Sequence, residues 1–354
     1  MQQSVALDED DLALVEALQR SPRAPWTSVA EVVGTNAVTA SRRWERLRTT
    51  GAAWVTGAPG PGSHHAQLLA YVEVTCLPSA KTRVAQQLAG DPHALSVDIT
   101  AGGRDLLVTV AAVDLVTLGR YLLERLDRVP GVTGTRARIA TRLYAEGSTW
   151  RLGVLPPSGA VGSPLPVTRP ALLDDVDREL MSALGIDGRA SYAALAQVAD
   201  ISQPTARRRV DRLISSGAVL LRTDVAAPLA GLPVMVVLSA DAPAARLDDA
   251  AVRLGRLRQV RLCATLAGTP SLLVIAWLAT LEDVHRFEQD LVRRVPEVDV
   301  VDRLVVLRAV KRMGHLLDVE GRATGTVRMD VWRDPVPVEQ PPLAAVPDEG
   351  VDDA

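Results

Sequence analysis

Apolar residues recur every three to four positions over 8–20 (Leu12, Val15, Leu18) and over 174–186 (Val176, Leu180, Leu184), the period of helices with one buried face. Asp8 and Asp174 stand where N-caps belong, with further acids in the first turn, where the helix dipole favours them. Short helices are predicted near 27–33 and 192–199. Longer ones follow near 37–50 and 203–216, stopped by Gly51 and Gly217. Three close-set helices, the last rich in arginine, read as a helix-turn-helix unit, and the chain contains two of them.

Each unit gives way to a two-residue rhythm. Strand patterns at 69–76, 95–99, 105–112 and 132–143 alternate with helical ones at 79–90 and 115–126, and Pro130-Gly131 ends the second helix. The same order returns at 234–240, 244–256, 260–266, 271–279, 281–294 and 298–310. This β-α-β-β-α-β succession is ferredoxin-like. The fold class is therefore α+β, with winged-helix helix-turn-helix domains alternating with ferredoxin-like domains, duplicated once.

The duplication is visible in the residues themselves. Shifted by 166 positions and without a gap, Leu7, Asp8 and Asp11 fall on Leu173, Asp174 and Asp177, and Arg42-Arg43 falls on Arg208-Arg209. Farther on, Leu106-Leu107-Val108 falls on Leu272-Leu273-Val274 and Val129-Pro130 on Val295-Pro296. So long a period is two domain pairs rather than a solenoid, whose units run to about 20–50 residues. The expected domains are 1–60 and 172–228 (helix-turn-helix) and 66–145 and 232–314 (ferredoxin-like). A Pro- and Gly-rich linker is expected at 146–171 and a disordered acidic tail at 334–354.

Charge changes the picture in one respect. The net charge of −3 hides a basic body, because no Lys or Arg follows Arg333 while six acids do. Only Lys81 and Lys311 are lysines; every other basic residue apart from histidine is arginine. Cys76 and Cys263 each lie in an apolar run and read as buried thiols, consistent with a cytoplasmic location. No apolar run reaches the length of about 18 residues that a membrane span needs, so no membrane association is expected. His64-His65 in a Gly/Pro-rich loop lacks further ligands, and no metal or cofactor is expected. Phosphate-loop, nucleophile-elbow and Cys-x-x-Cys patterns are absent, and no catalytic residue is assigned.

Leu173-Asp-x-x-Asp177, Asp187-Gly-Arg189, Leu195-Ala196, Ile201-Ser202, Arg208-Arg209-Val210 and Gly217, in this order and duplicated, resemble the Lrp/AsnC (leucine-responsive, feast/famine) transcription regulators. The resemblance covers roughly 7–145 and 172–312, so the chain looks like two such subunits fused in tandem. It implies a sequence-specific regulator of transcription whose partners are double-stranded DNA, a small-molecule effector such as an amino acid, and further copies of the chain as a dimer or tetramer of chains.

Within the third helix of copy two, Ala206, Val210 and Leu213 share the inward face. That leaves Ser202, Gln203, Thr205, Arg207, Arg208 and Arg212 as the candidate DNA contacts, since N-terminal positions of a recognition helix meet base edges. Gln suits adenine and Arg suits guanine or phosphate. In copy one the candidates are Thr39, Arg42, Arg43 and Arg46. Asn36, Ala37 and Val38 replace Ser202, Gln203 and Pro204, and Trp44 replaces Val210, so this copy is expected to hold phosphate more than to read bases.

Gly102-Gly103-Arg104-Asp105 is the second candidate site. Its glycines admit a ligand carboxylate close to backbone amides, and Asp105 would balance an ammonium group. By resemblance, this turn contacts amino-acid effectors. The counterpart in copy two, Gly268-Thr269-Pro270-Ser271, lacks the carboxylate. Two other function classes stay open: an Lrp-like enzyme of the sirohaem decarboxylase type, and a DNA-silent scaffold. The first is disfavoured by 3% aromatic content and a single Phe287; salt-dependent binding to duplex DNA would separate the second.

Overall fold

The computed structural model describes residues 6–60, 68–156 and 172–336. Copy one runs α1 (Glu9–Arg20), α2 (Trp26–Val33), α3 (Ala37–Thr49) and β1 (Ala53–Pro59), then β2 (Leu68–Cys76), α4 (Lys81–Ala89), β3 (Ala94–Thr100), β4 (Leu106–Ala112), α5 (Leu115–Arg120) and β5 (Val132–Ala145). A π-helical turn, Tyr121–Leu126, prolongs α5. Copy two runs α6 (Asp175–Ile186), α7 (Tyr192–Val198), α8 (Gln203–Ser215) and β6 (Val219–Val225), then β7 (Val234–Asp241), α9 (Leu247–Gly255), β8 (Val260–Leu266), β9 (Leu272–Leu278), α10 (Glu282–Arg294) and β10 (Asp299–Arg312). A hairpin of β11 (His315–Leu317) and β12 (Ala323–Thr326) closes the order.

The caps are those the sequence offers. Asp8 accepts from the Asp11 amide, and Asp174 and Asp177 form a reciprocal capping box. Gly51 and Gly217 both hold positive φ just past the third helix of their copy (67° and 68°).

Each ferredoxin-like unit orders its strands with the edges left over, β3-β4-β2-β5 and β8-β9-β7-β10. An exposed edge is a row of unpaired amides and carbonyls. Here the two copies satisfy one another: β5 pairs antiparallel with β8, and β10 with β3. The eight strands form a closed ring, because β10 also pairs with β7. Alternation along β2 shows the sidedness. Ala70, Val72 and Val74 pack with α4 and α5, whereas Tyr71 belongs to the core shared with copy two.

The structure refines one expectation and corrects two. First, among the described residues the wing of each helix-turn-helix is a single strand completed by the other copy. Each supplies one strand, and β1 pairs with β6, with Thr56 opposite Arg222. Second, the start of the expected linker is packed structure. Trp150 and Leu152 are buried, Gln19 accepts from the Leu152 amide (3.0 Å), and Glu16 accepts from Val154 (2.5 Å) and Leu155 (3.1 Å). Apolar side chains inside a Pro/Gly-rich stretch had a surface to bury against. Third, the expected tail begins as structure, since Asp334 pairs with Arg120 at 2.6 Å. Residues 157–171, 337–354 and the loop with His64-His65 lie outside the described residues.

The copies also meet through buried charge. Asp224 on β6 is fully buried beside Arg222 and Arg261, and Glu146 lies within 3.7 Å of Arg222. Burial would raise the Asp224 carboxyl, but Arg222, Arg261 and Arg312 outweigh it and hold it at about 2.

Lys311 is buried too, its Nζ donating to the Asp91 carbonyl at 2.8 Å. Burial lowers this amine to about 8, against an ordinary value of 10.5. The unfolded chain keeps the proton where the folded chain releases it, so this group makes stability rise between about pH 8 and 10.5. At pH 7 it imposes its full cost, on the order of 3 kcal/mol. Lys311→Met is expected to raise the urea midpoint at pH 7 and to flatten the rise above pH 8. An unchanged pH slope would contradict this.

Candidate nucleic-acid interface

Two helix-turn-helix units are held face to face by an exchange of arginines. Arg23 donates to the carbonyls of Gly188 (2.7 Å) and Ala190 (2.9 Å). Arg189 donates to those of Pro22 (2.7 Å) and Ala24 (3.1 Å). These are equivalent positions in the repeat, so the contact is isologous in the sense of a two-fold dimer. The aromatic partners are exchanged as well. Arg23 lies 4.8 Å from the Tyr192 ring centre and Arg189 4.2 Å from that of Trp26. Burial first, then the Arg23 charge, lowers Arg189 to about 10. Sequence reasoning missed this clamp, although Arg23 falling on Arg189 three residues before an aromatic in both copies was its signal.

Behind the clamp, α6 packs on β1 and α1 on β6. Thr56 Oγ1 donates to the Gly185 carbonyl and Thr223 Oγ1 to that of Leu18, both at 2.8 Å. The units therefore present their third helices as a fixed pair.

In α8, Ala206, Val210 and Leu213 are buried and Ser202, Gln203, Arg207, Arg208 and Arg212 are exposed, with Thr205 half-buried. Ser202 is the N-cap and accepts from the Thr205 amide at 3.4 Å. In α3, Asn36 caps through the Thr39 amide at 2.8 Å, Trp44 fills the Val210 position inside the core, and Val38 stands 79% exposed at the tip.

The arginines divide into two groups. Arg43 bonds Asp8, Asp10 and Asp11, and Arg46 bonds Asp11 at 2.5 Å. The twin cluster has Arg209 on Asp174 and Asp177, and Arg212 on Asp177 at 2.6 Å. Asp11 and Asp177 are buried, so these arginines tie the third helix to the first. Arg207 has a long contact with Asp211 (3.8 Å). Arg42 and Arg208 make no ion pair among the described residues and face solvent.

The glycine turns are built alike. Gly102 and Gly268 hold φ of 110° and 114°, which a side chain would strain. Gly103 has open space where a Cβ would stand. Asp105 is already engaged: it accepts from the Cys76 amide (2.8 Å) and pairs with Lys81 (2.7 Å). Burial pushes its carboxyl up, but Lys81 and the Cys76 amide hold it below the ordinary value. Ser271 makes the matching link, accepting from the Ala242 amide at 3.3 Å. Both residues thus stitch the turn to the end of the first strand of their unit, β2 or β7. Arg104 bridges Glu73 (2.7 Å) and, across the copies, Asp302.

This arrangement defines a helix-turn-helix protein with paired, strand-sharing ferredoxin-like domains. Comparison with known proteins agrees. An AsnC-type helix-turn-helix domain matches residues 7–48 and 173–214, and an Lrp/AsnC ligand binding domain matches 69–150 and 234–316. The HTH-type transcriptional regulator LrpA of Mycobacterium tuberculosis is 33% identical over 125 residues, 35% of this chain and 81% of that protein. An uncharacterized HTH-type transcriptional regulator of Pyrococcus horikoshii is 23% identical over 154 residues, which take 96% of that protein but only 43% of this chain. The siroheme decarboxylase NirDL, at 12% identity and a TM-score of 0.56, covers 86% of this chain and 93% of its own, a likeness of fold alone. The chain belongs to the Lrp/AsnC family as a tandem fusion of two of its subunits, and it is a DNA-binding transcriptional regulator.

Among the described residues, no helix is long and apolar enough to cross a membrane.

Proposed function

We propose that copy two reads bases and copy one anchors the backbone. The observation that carries this is the difference between the two recognition-helix tips. That of α8 is polar, with the exposed Gln203 followed by Arg208, which makes no ion pair among the described residues, while that of α3 offers Ala37 and the exposed Val38. Gln203 and Arg208 suit purine edges, with Ser202, Thr205 and Arg207 beside them. Arg42 takes a phosphate, Thr39 stands beside it, and Val38 suits a thymine methyl. Arg43, Arg46 and Arg212 act on DNA through the donors their aspartates leave over.

The effector in this reading is an amino acid, held at Gly102, Gly103 and Asp105, with the Gly268–Ser271 turn as the weaker partner. Its carboxylate would meet turn amides, and Asp105 would share its charge between Lys81 and the ligand ammonium. Nothing in this reading needs a catalytic group, and its place is the cytoplasm, beside the DNA. Fluorescence anisotropy of chain on operator, with each amino acid added singly, tests the effector. Asp105→Ala should remove the response and Ser271→Ala should leave most of it. Equal loss in both would mean that the turns act as equivalents.

One chain already holds what would be a pair of subunits, so further assembly must use the outer helices. Leu115, Val116 and Leu123 are 63%, 72% and 67% exposed there, an apolar patch suited to a second chain. Light scattering is expected to give a dimer or tetramer of chains, and Leu123→Glu to shift it toward the single chain. A monomeric wild type would contradict this.

A further inference from the structure

Where the β1–β6 ribbon, the eight-stranded ring and the β11–β12 hairpin meet, a cavity of about 80 Å³ is left. Each of the three gives it an apolar wall: Val225 at the end of β6, Val306 on β10 and Leu317 on β11. The space is several times the roughly 15 Å³ that one water needs. Trp54 of β1 closes one side, its ring stacked on His315 at 5.3 Å. Trp277 also reaches the cavity, but Arg261, Arg312 and Trp150 already cover that ring, and it has no face to offer a ligand.

The polar groups left open here are donors. The Trp54 indole N–H and Arg308 Nε are both buried without a partner among the described residues. Arg312, also in the lining, makes only long contacts, with Asp98 (3.4 Å) and the Met235 sulfur (3.3 Å). The one acid in the lining is Asp318, whose Oδ1 already accepts from the amides of Glu320 and Arg322, both at 2.9 Å. Of the two guanidiniums, Arg312 thus has Asp98 as its counter-ion, and Arg308 makes no ion pair among the described residues. The repeat supplies a comparison. Arg142, the equivalent of Arg308, lies 5.1 Å from the Tyr144 ring centre, and Leu220 stands at the Trp54 position. Copy two has Val310 in place of Tyr144, so Arg308 lacks that ring.

We infer that this cavity binds a small aliphatic carboxylate that carries no amine, its carboxylate on Arg308 and the Trp54 indole N–H and its body against Val225, Val306 and Leu317. An ammonium group would face two guanidiniums, with Asp318 spent on its own turn, whereas at the glycine turn it would meet Asp105. The two sites therefore take different ligands. This one lies at the joint between ribbon and ring, and the hairpin that walls it bonds the first helix-turn-helix, the Ala323 amide donating to the Gly51 carbonyl at 2.8 Å. Occupancy bears on how the helix-turn-helix pair is set on the ring; this second half of the inference rests on the DNA-binding reading.

Titration of the full chain with isobutyrate, followed by NMR through the indole N–H signals and the ligand methyl signals, tests the first half without DNA. The Trp54 signal, assigned by its loss in Trp54→Phe, should move saturably, while those of Trp26 and Trp44 stay in place. Isobutylamine, the cationic counterpart, should move none of them. Arg308→Gln should weaken binding by roughly tenfold or more, the loss of a charge-assisted hydrogen bond. Trp54→Phe, which keeps a ring beside His315, should weaken it by about threefold or more. Arg142→Gln should leave it unchanged. No saturable shift, an equal response to isobutylamine, or equal weakening by Arg142→Gln would overturn the site. Anisotropy on duplex DNA tests the coupling: a shift of affinity with isobutyrate that Arg308→Gln removes supports it. Isobutyrate bound at Trp54 without any such shift overturns the coupling and leaves DNA binding itself untouched.

Discussion

Arg208→Ala is expected to cost the chain roughly 1–3 kcal/mol of affinity for its operator while changing its affinity for random duplex little. The guanidinium faces solvent in the first half of α8, six residues past the Ser202 cap, and has no ion pair among the described residues. A residue that reads a base loses specificity when truncated; one that holds phosphate loses affinity for all sequences alike. Arg42→Ala should behave in the second way and should lessen the salt dependence of binding. Both variants must be compared with the wild type at one fixed salt concentration, on operator and on random duplex. A larger loss of specificity from the Arg42 change would reverse the assignment of the two copies.

The second large effect falls on the arginine clamp. Arg189→Ala leaves the carbonyls of Pro22 and Ala24 without their donor and uncovers the Trp26 ring. The expected cost is at most about 1–3 kcal/mol for each of these part-buried acceptors that loses its charged donor. Arg23→Ala should do the same from the other side, and the double variant should lose less than the sum, because the two guanidiniums share the same interface. The sensor strands keep their own pairing, so hydrogen exchange should rise in α1, α2, α6 and α7 while β4 and β9 stay protected. Uniform exchange throughout the chain would show that the clamp is a global stability element instead. Affinity for DNA should fall in both variants, since two half-sites need recognition helices at a fixed spacing.

The helices and the strand order were legible in the sequence because both depend on short-range periods. Leu12, Val15 and Leu18 determine a face whatever lies beyond it, and Asp8, Ser202 and Gly217 mark ends by local chemistry. Pairing between copies was not legible. Whether β1 meets β6, or β5 meets β8, depends on edges that come together across more than a hundred residues, and no local pattern encodes a partner. The linker expected from 146 failed over 146–156 for a related reason: Pro and Gly describe the backbone, while Trp150 and Leu152 decide burial.

At the DNA face, repetition was an ambiguous sign. Arg42-Arg43 falling on Arg208-Arg209 suggests a shared function, yet Arg43 and Arg209 serve the aspartates of the first helix, while Arg42 and Arg208 make no ion pair among the described residues. Identity between copies selects for folding as strongly as for recognition. Asp105 shows the converse. The change to Ser271 reads as the loss of a ligand group, but both side chains make the same link to the end of the first strand of their unit.

One chain carries two unlike DNA-binding units in the frame of a dimer, in the proposed reading one that reads bases and one that chiefly holds phosphate. Selection of bound duplexes from a random pool, followed by sequencing, tests it most directly. Two different half-sites are expected, about one helical turn (10–10.5 base pairs) or a multiple apart. The half-site lost in the Arg208→Ala selection should be the better defined of the two. A pool with no enriched sequence, or a palindrome of one half-site type that Arg208→Ala leaves intact, would contradict it.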